Sequence, residues 1–394
     1  MAAPLAGIRV VEQGTFITGP CAGMMLADLG ADVIKVESPA GDPYRSYQEG
    51  LFSPHFQAYN RNKRSVVLDL GNDADRPMFE QLIVSADVYI QNFRPGTAER
   101  LSAGSERLLG LNPRLVYCSI SGFGSSGPYA ERPSYDSVAQ ALSGFLSVVV
   151  DPERPRFMGP ALADAITGIY AAYGVLGALV GRGRDGQGSH VEVSMLEAMA
   201  HFAVEPFSAY FALGQAPRSG DRPRLAQAHI LRTADGGLVA IHLSSLDKFW
   251  HGLTRALEAE ELASDARFAT RLLRIEHYDA LGKALDALFS KRDTEQWVEI
   301  MARHDVPFAP IQSIAQVVDD PQARHLGLIV PVQGAHAAEK PGGKNHGGDR
   351  AVRPAVQFNG ERATRVRTAP LLDEQGASIR QTLTGSQGWP ALSQ

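Results

Sequence analysis

Apolar residues fall into short continuous runs and longer periodic stretches through the first 200 positions of the chain. The short runs are rich in valine and isoleucine and predict strands at Ile8–Glu12, Asp32–Glu37, Ser65–Leu70, Asp87–Asn92 and Leu115–Ser121. Helical patterns separate several of these runs, at Cys21–Leu29, 74–84 and 97–110. Repeated strand–helix–strand units with short links predict an α/β fold with a doubly wound, mostly parallel sheet.

The pattern changes after this region. An apolar segment predicts a helix over 164–181, a short strand at Val191–Val193 and a further helix over 194–213. Residues 217–223 combine prolines with glycine and predict a linker. Asp235–Gly237 then predicts a hairpin turn. The elements expected after this turn are a strand at Leu238–Leu243 and helices at 245–258, 277–290 and 294–304.

These changes divide the chain into three parts. We expect a Rossmann-like large domain over 1–215, a smaller α+β domain over 225–325 and a C-terminal segment over 326–394. Within the last segment, the glycine-rich stretch 341–350 predicts a flexible loop.

Composition narrows the class of function. Hydrophobic residues make up 44% of 394 positions and charged residues 21%, which is typical of a soluble globular protein. A formal charge of −5 argues against general binding to nucleic acid. The two cysteines, Cys21 and Cys118, form no CxxC motif and predict buried thiols in a reducing, cytoplasmic compartment.

The sequence gives little indication of a membrane. The N-terminal residues lack the charged and then apolar pattern of a signal peptide. Residues 165–181 carry no charge but contain several glycines, which favours a helix packed closely inside a protein over a membrane span.

Two common kinds of active site do not fit the motifs. Gly122, Gly124 and Gly127 form a G-x-G-x-x-G string after a strand, but Pro128 follows at once, so no dinucleotide-binding helix is expected there. Glu37, at a strand end, is weak support for NAD binding. The sequence contains neither a GxSxG elbow nor an HExxH pair, and we predict no metal site.

Asp164 stands just before the apolar helix and has two interpretations. As an N-cap it would only accept hydrogen bonds from the first backbone N–H groups. As a nucleophile it would be kept ionised by the same helix end, with a pKa near its ordinary value of about 3.9. An ionised carboxylate can attack an activated acyl group without a separate base.

Basic residues cluster at two places. Arg61, Lys63 and Arg64 precede one predicted strand, and Arg94 and Arg100 follow another. A solvated surface is one interpretation. The other is an anion site, because the carboxyl ends of strands bind ligands in open α/β sheets. Phe93, which is adjacent to Arg94, would then pack against an adenine.

Together these strings resemble the class III CoA transferases, the CaiB/BaiF family. The resemblance covers most of the chain and is densest over 5–200. The segments that carry it, in the family's order, are LAGIRVVE, LADLGADVIKVESPAGDPYR, NKRSVVLDL, ADVYIQNFRPG, NPRLVYCSISGFGSSGP, YDSVAQALSG and GALVGRGRDGQGSHVEVSMLEAM.

The resemblance implies roles for particular residues. Asp164 occupies the place of the family's nucleophilic aspartate. Residues at the places of family contacts to CoA are Asn92, Phe93 with the adjoining Arg94, Arg100 and Tyr135 of the YD motif. To these candidates for CoA binding we add Lys63 from the basic cluster and Ile17 from the first turn. The resemblance also implies an interlocked homodimer, whose sheet domain uses both ends of each chain and holds the small domain as an insertion.

The chain departs from the formyl-CoA transferase pattern in that family. Ile17 stands where that subgroup has glutamine, Ser38 replaces its arginine, and Pro133 replaces its lysine, although Arg132 is adjacent. The subgroup's glycine run is not found over 215–240. These differences argue against oxalate or formate as substrates.

The expected reaction is transfer of CoA from an acyl-CoA, such as succinyl-CoA or another dicarboxyl-CoA, to an acceptor acid. It would proceed through an anhydride and a thioester on Asp164, with CoA as substrate and no tightly bound cofactor. One alternative is a 2-methylacyl-CoA racemase, whose catalytic histidine would fall at Tyr135, a poor base at neutral pH. A second alternative is a catalytically silent CoA-binding protein.

Overall fold

The computed structural model describes residues 3–47, 51–157, 159–244, 247–334, 350–384 and 388–390. Two compact units divide the chain. The first consists of Met1–Leu146, Phe157–Ser208 and Arg324–Gln394, and the second of Ser147–Arg156 and Ala209–Ala323. The loop predicted over 341–350 lies, except for Arg350, outside the described residues.

The first unit is built on a parallel sheet. Within the described residues its six strands are β1 (Arg9–Gln13), β2 (Asp32–Glu37), β3 (Arg64–Val67), β4 (Val88–Gln91), β5 (Val116–Ser121) and β6 (Ser189–Ser194). They lie in the order β3-β2-β1-β4-β5-β6, and all neighbours are parallel. The predicted α/β fold with a parallel sheet is therefore confirmed. The strand order reverses between β1 and β4, the position at which such sheets form a ligand crevice.

Helices cover both faces of this sheet or follow its edges. They are α1 (Thr18–Asp28), α2 (Pro54–Asn60), α3 (Arg76–Ser85), α4 (Thr97–Arg100), α5 (Ser105–Leu111), α6 (Asp136–Leu142), α8 (Leu162–Asp185) and α9 (Met195–Phe202). Two further helices, α7 (Phe145–Val149) and α10 (Val204–Leu213), each begin in the first unit and end in the second. A 3-10 turn occupies Pro43–Ser46.

Three of these helices differ from the prediction. The helix expected over 97–110 is two helices, because Ser102 adopts a left-handed φ of 58° and Gly104 caps the second. The helix expected over 194–213 is interrupted at Ala203. The helix expected over 164–181 begins two residues earlier and continues to Asp185, where Gly186 ends it in a left-handed conformation.

Two apolar clusters account for the continuous hydrophobic runs in the strands. Neighbouring residues of a strand point to opposite faces, so Val10 and Val11 join different clusters. Val11 packs with residues such as Phe79 and Tyr89, and Val10 with residues such as Leu26 and Val175. Strands buried on both faces lose the polar alternation that a half-exposed sheet would show.

Helices α1 and α8 lie unusually close together. A β-carbon on Gly168 would be 2.6 Å from the Cβ of Cys21 and 2.8 Å from the carbonyl oxygen of Thr18. Only glycine fits at this position. Gly168 comes about one turn after Asp164, so this contact holds the start of α8 against the start of α1.

The end of the chain closes one edge of the sheet. Its elements are α18 (Pro321–Leu326), which begins in the second unit, and then β10 (Ile329–Gln333), β11 (Arg350–Val352), β12 (Val366–Arg367) and α19 (Gly376–Thr384). The edge strand β3 donates its Ser65 N–H to Gln375 Oε1 at 2.9 Å and its Val67 N–H to Asp373 Oδ1 at 2.8 Å. The side chains of Gln375 and Asp373 thus bind backbone N–H groups of β3 that could otherwise pair with a strand of another chain.

The second unit has its own antiparallel sheet and core. Its strands are β7 (Ala228–Arg232), β8 (Leu238–His242) and β9 (Phe308–Pro310), in the order β7-β8-β9. The helices are α11 (Asp221–Ala226), α12 (Lys248–Ala256), α13 (Glu260–Ser264), α14 (Arg271–Glu276), α15 (Tyr278–Phe289), α16 (Thr294–Arg303) and α17 (Ile314–Asp319). The predicted hairpin turn is confirmed, with Gly236 at a φ of 81°. The linker expected over 217–223 is partly wrong, because α11 begins inside it after Gly220.

Candidate active site

Asn92 holds together the crevice at the switch point of the sheet. Its amide N–H groups donate to the carbonyl oxygen of Thr15 and to the hydroxyl of Thr18, each at 2.8 Å. Its Oδ1 accepts the backbone N–H of Thr15 at 2.9 Å. The side chain predicted to contact CoA therefore fixes the loop after β1 and the start of α1, and its contact with CoA stays a prediction.

Asp164 is not the N-cap of α8. Ala161 occupies the N-cap position, and Asp164 is the third residue of the helix. The first N–H groups are bound by another carboxylate, since Asp136 Oδ1 accepts from Ala163 N at 2.7 Å and from Asp164 N at 3.3 Å. The capping interpretation of Asp164 is thus wrong, because Asp136 has that role from a neighbouring helix. The Asp164 carboxylate is left free for chemistry.

The ionisation of Asp164 also differs from expectation. Burial, together with the nearby carboxylate of Asp136, raises the pKa of Asp164 to about 7. The expected stabilisation by the helix end fails, because Asp136 already accepts the N–H groups that would have provided it. Near neutral pH, Asp164 is present in both ionised and protonated forms.

An aromatic cluster of Phe16, Tyr44, Tyr47, His55 and Tyr135 lies beside this residue. The ring of Phe16 is 5.8 Å from Tyr44 and 6.0 Å from Tyr135, centroid to centroid. Tyr44 also contacts Tyr47 at 5.1 Å and His55 at 5.5 Å. Burial raises the pKa of Tyr44 to about 12, and the negative charge of Asp164 contributes to this rise. The cluster is therefore within electrostatic reach of Asp164 through Tyr44.

Phe16 is held in this cluster by strained backbone. Its φ of 59° is left-handed, which is uncommon for a bulky residue. The backbone N–H of Phe16 donates to Asp42 Oδ1 at 3.0 Å, which fixes the turn. Backbone strain of this kind tends to persist at functional sites. Ile17, the next residue, is buried and 5% exposed, and it lines neither of the cavities described below.

A buried charge network supports the floor of the site. Lys35 Nζ lies 3.2 Å from Glu12 Oε1 and 3.0 Å from Asp42 Oδ2, and it donates to the carbonyl of Gly14 at 2.7 Å. Burial alone would raise the pKa of Glu12, but Lys35 and Lys63 lower it below its ordinary value. Two lysines and two carboxylates thus balance each other's charges in the buried interior.

Lys63 belongs to this network and not to a ligand surface. Its Nζ donates to Glu12 Oε2 at 2.9 Å, to the carbonyl of Pro20 at 2.8 Å and to Asn60 Oδ1 at 2.8 Å. An ammonium has three N–H groups, and all are used here. Lys63 therefore has a structural role, which corrects its interpretation as a CoA-binding residue. Burial lowers the pKa of Lys63 to about 8.

Glu37 does not resemble a ribose-binding acid. Both of its oxygens are bound by Arg45 at 2.7 Å, and one of them also accepts the hydroxyl of Ser65 at 2.6 Å. No helix opens at the glycine string either, since the next helix after β5 is α6 at Asp136. The two features that suggested NAD binding are therefore accounted for by other contacts.

Two cavities flank Phe93 at the carboxyl ends of the strands. The larger, of about 560 Å³, is lined by Phe93, Arg94 and Gly124 among others, and the smaller, of about 150 Å³, by Phe93, Ser38 and Gly71 among others. Arg94 is exposed at this edge. Arg100 is exposed as well, with one N–H donated to the hydroxyl of Thr97 at 2.7 Å. The structure thus brings Phe93 and Arg94 to one cavity, with Asn92 adjoining them in sequence.

Other features of the described residues limit the chemistry. No three His, Cys, Asp or Glu side chains in the described ranges come together as a metal site would require. Cys21 and Cys118 are buried, as predicted, and burial raises the pKa of their thiols to about 11 and about 12. In the described part of the chain, α8 alone has the length and apolar composition of a membrane span, properties that core helices share.

Sequence reasoning missed Asp136, the residue that caps α8. Asp136 stands in the YD pair at 135–136, of which only Tyr135 was considered. Tyr135 itself is 60% exposed and meets Phe16 edge-on. An aspartate at the first position of α6 was a visible signal, but its bond to a helix 27 residues away was not.

Comparison with known proteins identifies the family of the chain. Residues 5–376 match the family model described as CoA-transferase family III. The chain therefore belongs to CoA-transferase family III, which confirms the predicted family and enzyme class. It is 34% identical over 384 residues to an acetyl-CoA:oxalate CoA-transferase of Acetobacter aceti, covering 96% of this chain and 95% of that protein.

Two further comparisons agree with this family assignment. A succinate–glutarate CoA-transferase of Agrobacterium fabrum is 35% identical over 352 residues, which are 86% of this chain and 88% of that protein. The crystal structure of a CaiB/BaiF family protein from Brucella suis superposes with a TM-score of 0.84 at 33% identity, over 97% of this chain and 100% of that one.

Proposed function

We propose that this CoA transferase moves CoA between two carboxylic acids by covalent catalysis on Asp164. The observation that carries the proposal is the state of this side chain. It lies at the start of α8 with its capping role taken by Asp136, and its pKa is raised to about 7. An oxygen nucleophile with this pKa is more basic than an ordinary carboxylate and still ionised in part at neutral pH.

The reaction then follows as four exchanges. The Asp164 carboxylate attacks the donor thioester, which forms an aspartyl–acyl anhydride and releases CoA thiolate. The thiolate attacks the aspartyl carbonyl, which forms an aspartyl–CoA thioester and releases the donor acid. The acceptor carboxylate attacks this thioester, which forms a new anhydride and releases CoA thiolate again. The thiolate finally attacks the acceptor's acyl carbonyl and restores the carboxylate of Asp164.

These steps depend on the positioning of the reacting groups and not on an external source of free energy. The overall reaction converts one CoA thioester into another, so the bonds broken and formed have similar energies and no ATP is consumed. The protein must hold the reacting atoms together and stabilise each tetrahedral oxyanion. Candidate binding residues for CoA at the crevice are Asn92, Phe93, Arg94, Arg100 and Tyr135. Ile17 remains a candidate through the backbone of the first turn.

The donor we propose is a dicarboxyl-CoA such as succinyl-CoA. Support comes from the relative named for succinate and glutarate. The replacements at Ile17, Ser38 and Pro133 argue against oxalate as a preferred acid. CoA enters as a substrate, and we propose no tightly bound cofactor.

We also propose an interlocked homodimer that works in the cytoplasm without nucleic acid or a membrane. Large apolar residues that one chain leaves uncovered support an extensive partner surface. In the first unit they include Ile169, Tyr173 and Phe202, which are 49%, 73% and 51% exposed. Exposed apolar side chains in such number mark protein interfaces.

Trapping the covalent intermediate tests the proposal. Enzyme is incubated with succinyl-CoA and then with hydroxylamine or borohydride, and the peptide that contains residue 164 is analysed by mass spectrometry. Modification of Asp164 is expected in the wild type and its absence in Asp164→Ala. Asp185→Asn, at the other end of α8, is the matched control and should react like the wild type. A wild-type enzyme that exchanges CoA with Asp164 unmodified would contradict the mechanism.

A second measurement separates transfer from racemisation. CoA exchange into a panel of acids is measured alongside deuterium uptake at the α-carbon of the acyl group in D₂O. Exchange into a dicarboxylic acid supports the proposal. Deuterium uptake without exchange identifies a racemase, and binding of CoA with neither outcome identifies a silent CoA-binding protein.

A further inference from the structure

We propose that Asp136 is a positioning residue of the CoA-transfer reaction, which caps α8 in place of Asp164 and opposes the resting negative charge of Asp164. The inference rests on the proposed function of Asp164 and deepens it. Asp136 acts through Asp164 and does not itself need to contact the substrate.

The contacts of Asp136 fix its carboxylate at the helix end. One oxygen accepts the N–H groups of Ala163 at 2.7 Å and Asp164 at 3.3 Å. The other oxygen accepts from Nε2 of Gln140 at 2.6 Å, and Gln140 is buried. Three N–H donors are therefore aimed at one carboxylate, an arrangement that favours a negative charge there.

Unlike Asp136, Asp164 has no N–H donors directed at its carboxylate among the described residues. Its carboxylate accepts no hydrogen bond from any residue that the structure describes. The titratable groups around it are Asp136 on α6, Cys21 on α1, Tyr59 on α2 and Tyr44 in the 3-10 turn. Burial raises the pKa of Cys21, Tyr59 and Tyr44 above their ordinary values, so these three stay neutral near pH 7. Asp136 is thus the charge that Asp164 meets.

This arrangement favours the covalent intermediates over the resting enzyme. The ionised carboxylate of Asp164 is repelled by Asp136, but an aspartyl anhydride or thioester carries no charge at that side chain. Acylation therefore relieves the repulsion, and the barrier to it falls by part of that amount. The same repulsion makes the carboxylate more basic and hence a stronger nucleophile.

Asp136→Asn separates the charge from the cap. Asparagine keeps an oxygen that can accept from Ala163 and Asp164, but it removes the negative charge. Acylation by succinyl-CoA is followed by single-turnover trapping with hydroxylamine over pH 5–9. We expect the midpoint of the acidic limb to move to lower pH by about one unit. At pH 8, where Asp164 is ionised in both proteins, we expect acylation to slow by about 3- to 10-fold.

A second variant distinguishes the effect of the Asp136 charge from the effect of losing the helix cap. Asp136→Ala combined with Ala161→Ser removes the charge and gives α8 a new cap at its own N-cap position. If Asp136 only caps the helix, this double variant regains the wild-type pH profile and rate. Our inference predicts that its thermal stability returns while the acidic limb stays shifted and acylation stays slow. Asp136→Glu, which keeps the charge, should restore most of the wild-type profile.

Failure of the proposed function can be distinguished from failure of the proposed role of Asp136. If the wild type neither exchanges CoA nor labels at Asp164, the proposed function itself is wrong. If exchange depends on Asp164 but Asp136→Asn and the double variant both keep the wild-type limb and rate, only the role of Asp136 is overturned.

Discussion

Gly168 and Cys21 are packed so closely that a β-carbon on Gly168 would lie 2.6 Å from the Cβ of Cys21. The two residues join α8 to α1 and so fix where Asp164 stands relative to the crevice. The neighbouring atoms on α1 include the backbone carbonyl of Thr18 at 2.8 Å, which cannot move aside alone. The separation of the two helices is therefore set by the missing side chain.

We predict that Gly168→Ala destabilises the protein in spite of alanine's better helix propensity. Overpacking should cost about 1–3 kcal/mol, against a gain of about 1 kcal/mol from propensity. CoA exchange should fall as well, because Asp164 moves with the first turns of α8. Gly110→Ala on α5 is the control, since a β-carbon there meets no atom within 4 Å. Thermal unfolding and exchange rates measure both, and equal behaviour of the two variants would contradict the packing argument.

The pH dependence of the reaction should follow the ionisation of Asp164. Its pKa is raised to about 7, and only the ionised form is a nucleophile. The rate of acylation should therefore rise through pH 7 and level off above it. Single-turnover trapping with hydroxylamine reports this step directly. A rate that is already constant above pH 5 would show that Asp164 is ionised at its ordinary pKa.

The same shift makes Asp164 unfavourable for stability at neutral pH. The carboxyl has a pKa of about 7 in the folded protein and an ordinary value near 3.8 when unfolded. Between these values the folded state binds more protons, so the stability of the wild type should fall as pH rises from about 4 to 7. We predict that Asp164→Asn is more stable at pH 8 by about 1–3 kcal/mol and nearly equal at pH 4. Denaturant unfolding at both values checks this, and a constant difference would contradict it.

Replacing Lys63 tests whether this residue stabilises the fold or binds CoA. Lys63→Met leaves Glu12 with one partner fewer in a buried network, and such losses cost about 3–5 kcal/mol. We predict a large fall in the free energy of unfolding. If Lys63 instead contacted CoA, the variant would keep its stability and show only a raised KM for acyl-CoA.

Replacing the exposed arginines Arg94 and Arg100 should weaken the binding of acyl-CoA and leave the stability of the fold unchanged. Arg94 lines the larger cavity, and Arg100 lies exposed on α4. We predict that Arg94→Gln and Arg100→Gln raise the KM for acyl-CoA by about 3- to 30-fold, with kcat and thermal stability nearly unchanged. Glu106→Gln, an exposed change on α5, is the control. Unchanged KM in both arginine variants would move the nucleotide site elsewhere.

The sheet could be predicted from the sequence because its strands are buried on both faces. Runs such as Asp32–Glu37 match β2 residue for residue, since burial on two sides produces a continuous apolar pattern. The break at Ser102 within the helix predicted over 97–110 had one sequence signal, Gly104, which weakens a helix without excluding one.

The candidate site was predicted only in part. Asp164 was singled out from its motif, and its catalytic role stays a prediction. Two features of its surroundings are not contained in a linear pattern, namely the capping of α8 by Asp136 from another helix and the burial that raises the pKa of Asp164. Lys63 was misinterpreted for a related reason. Lysines are almost always exposed unless paired, and the partner Glu12 is 51 positions away.

The contacts of Asp373 and Gln375 with β3 bear on how the protein is made. Synthesis runs from the N-terminus, so the ribosome has released β3 long before the residues that bind its free edge exist. Until then the nascent sheet exposes an unpaired strand. We expect chains truncated before residue 370 to aggregate during expression, and chains that include Asp373 and Gln375 to stay soluble.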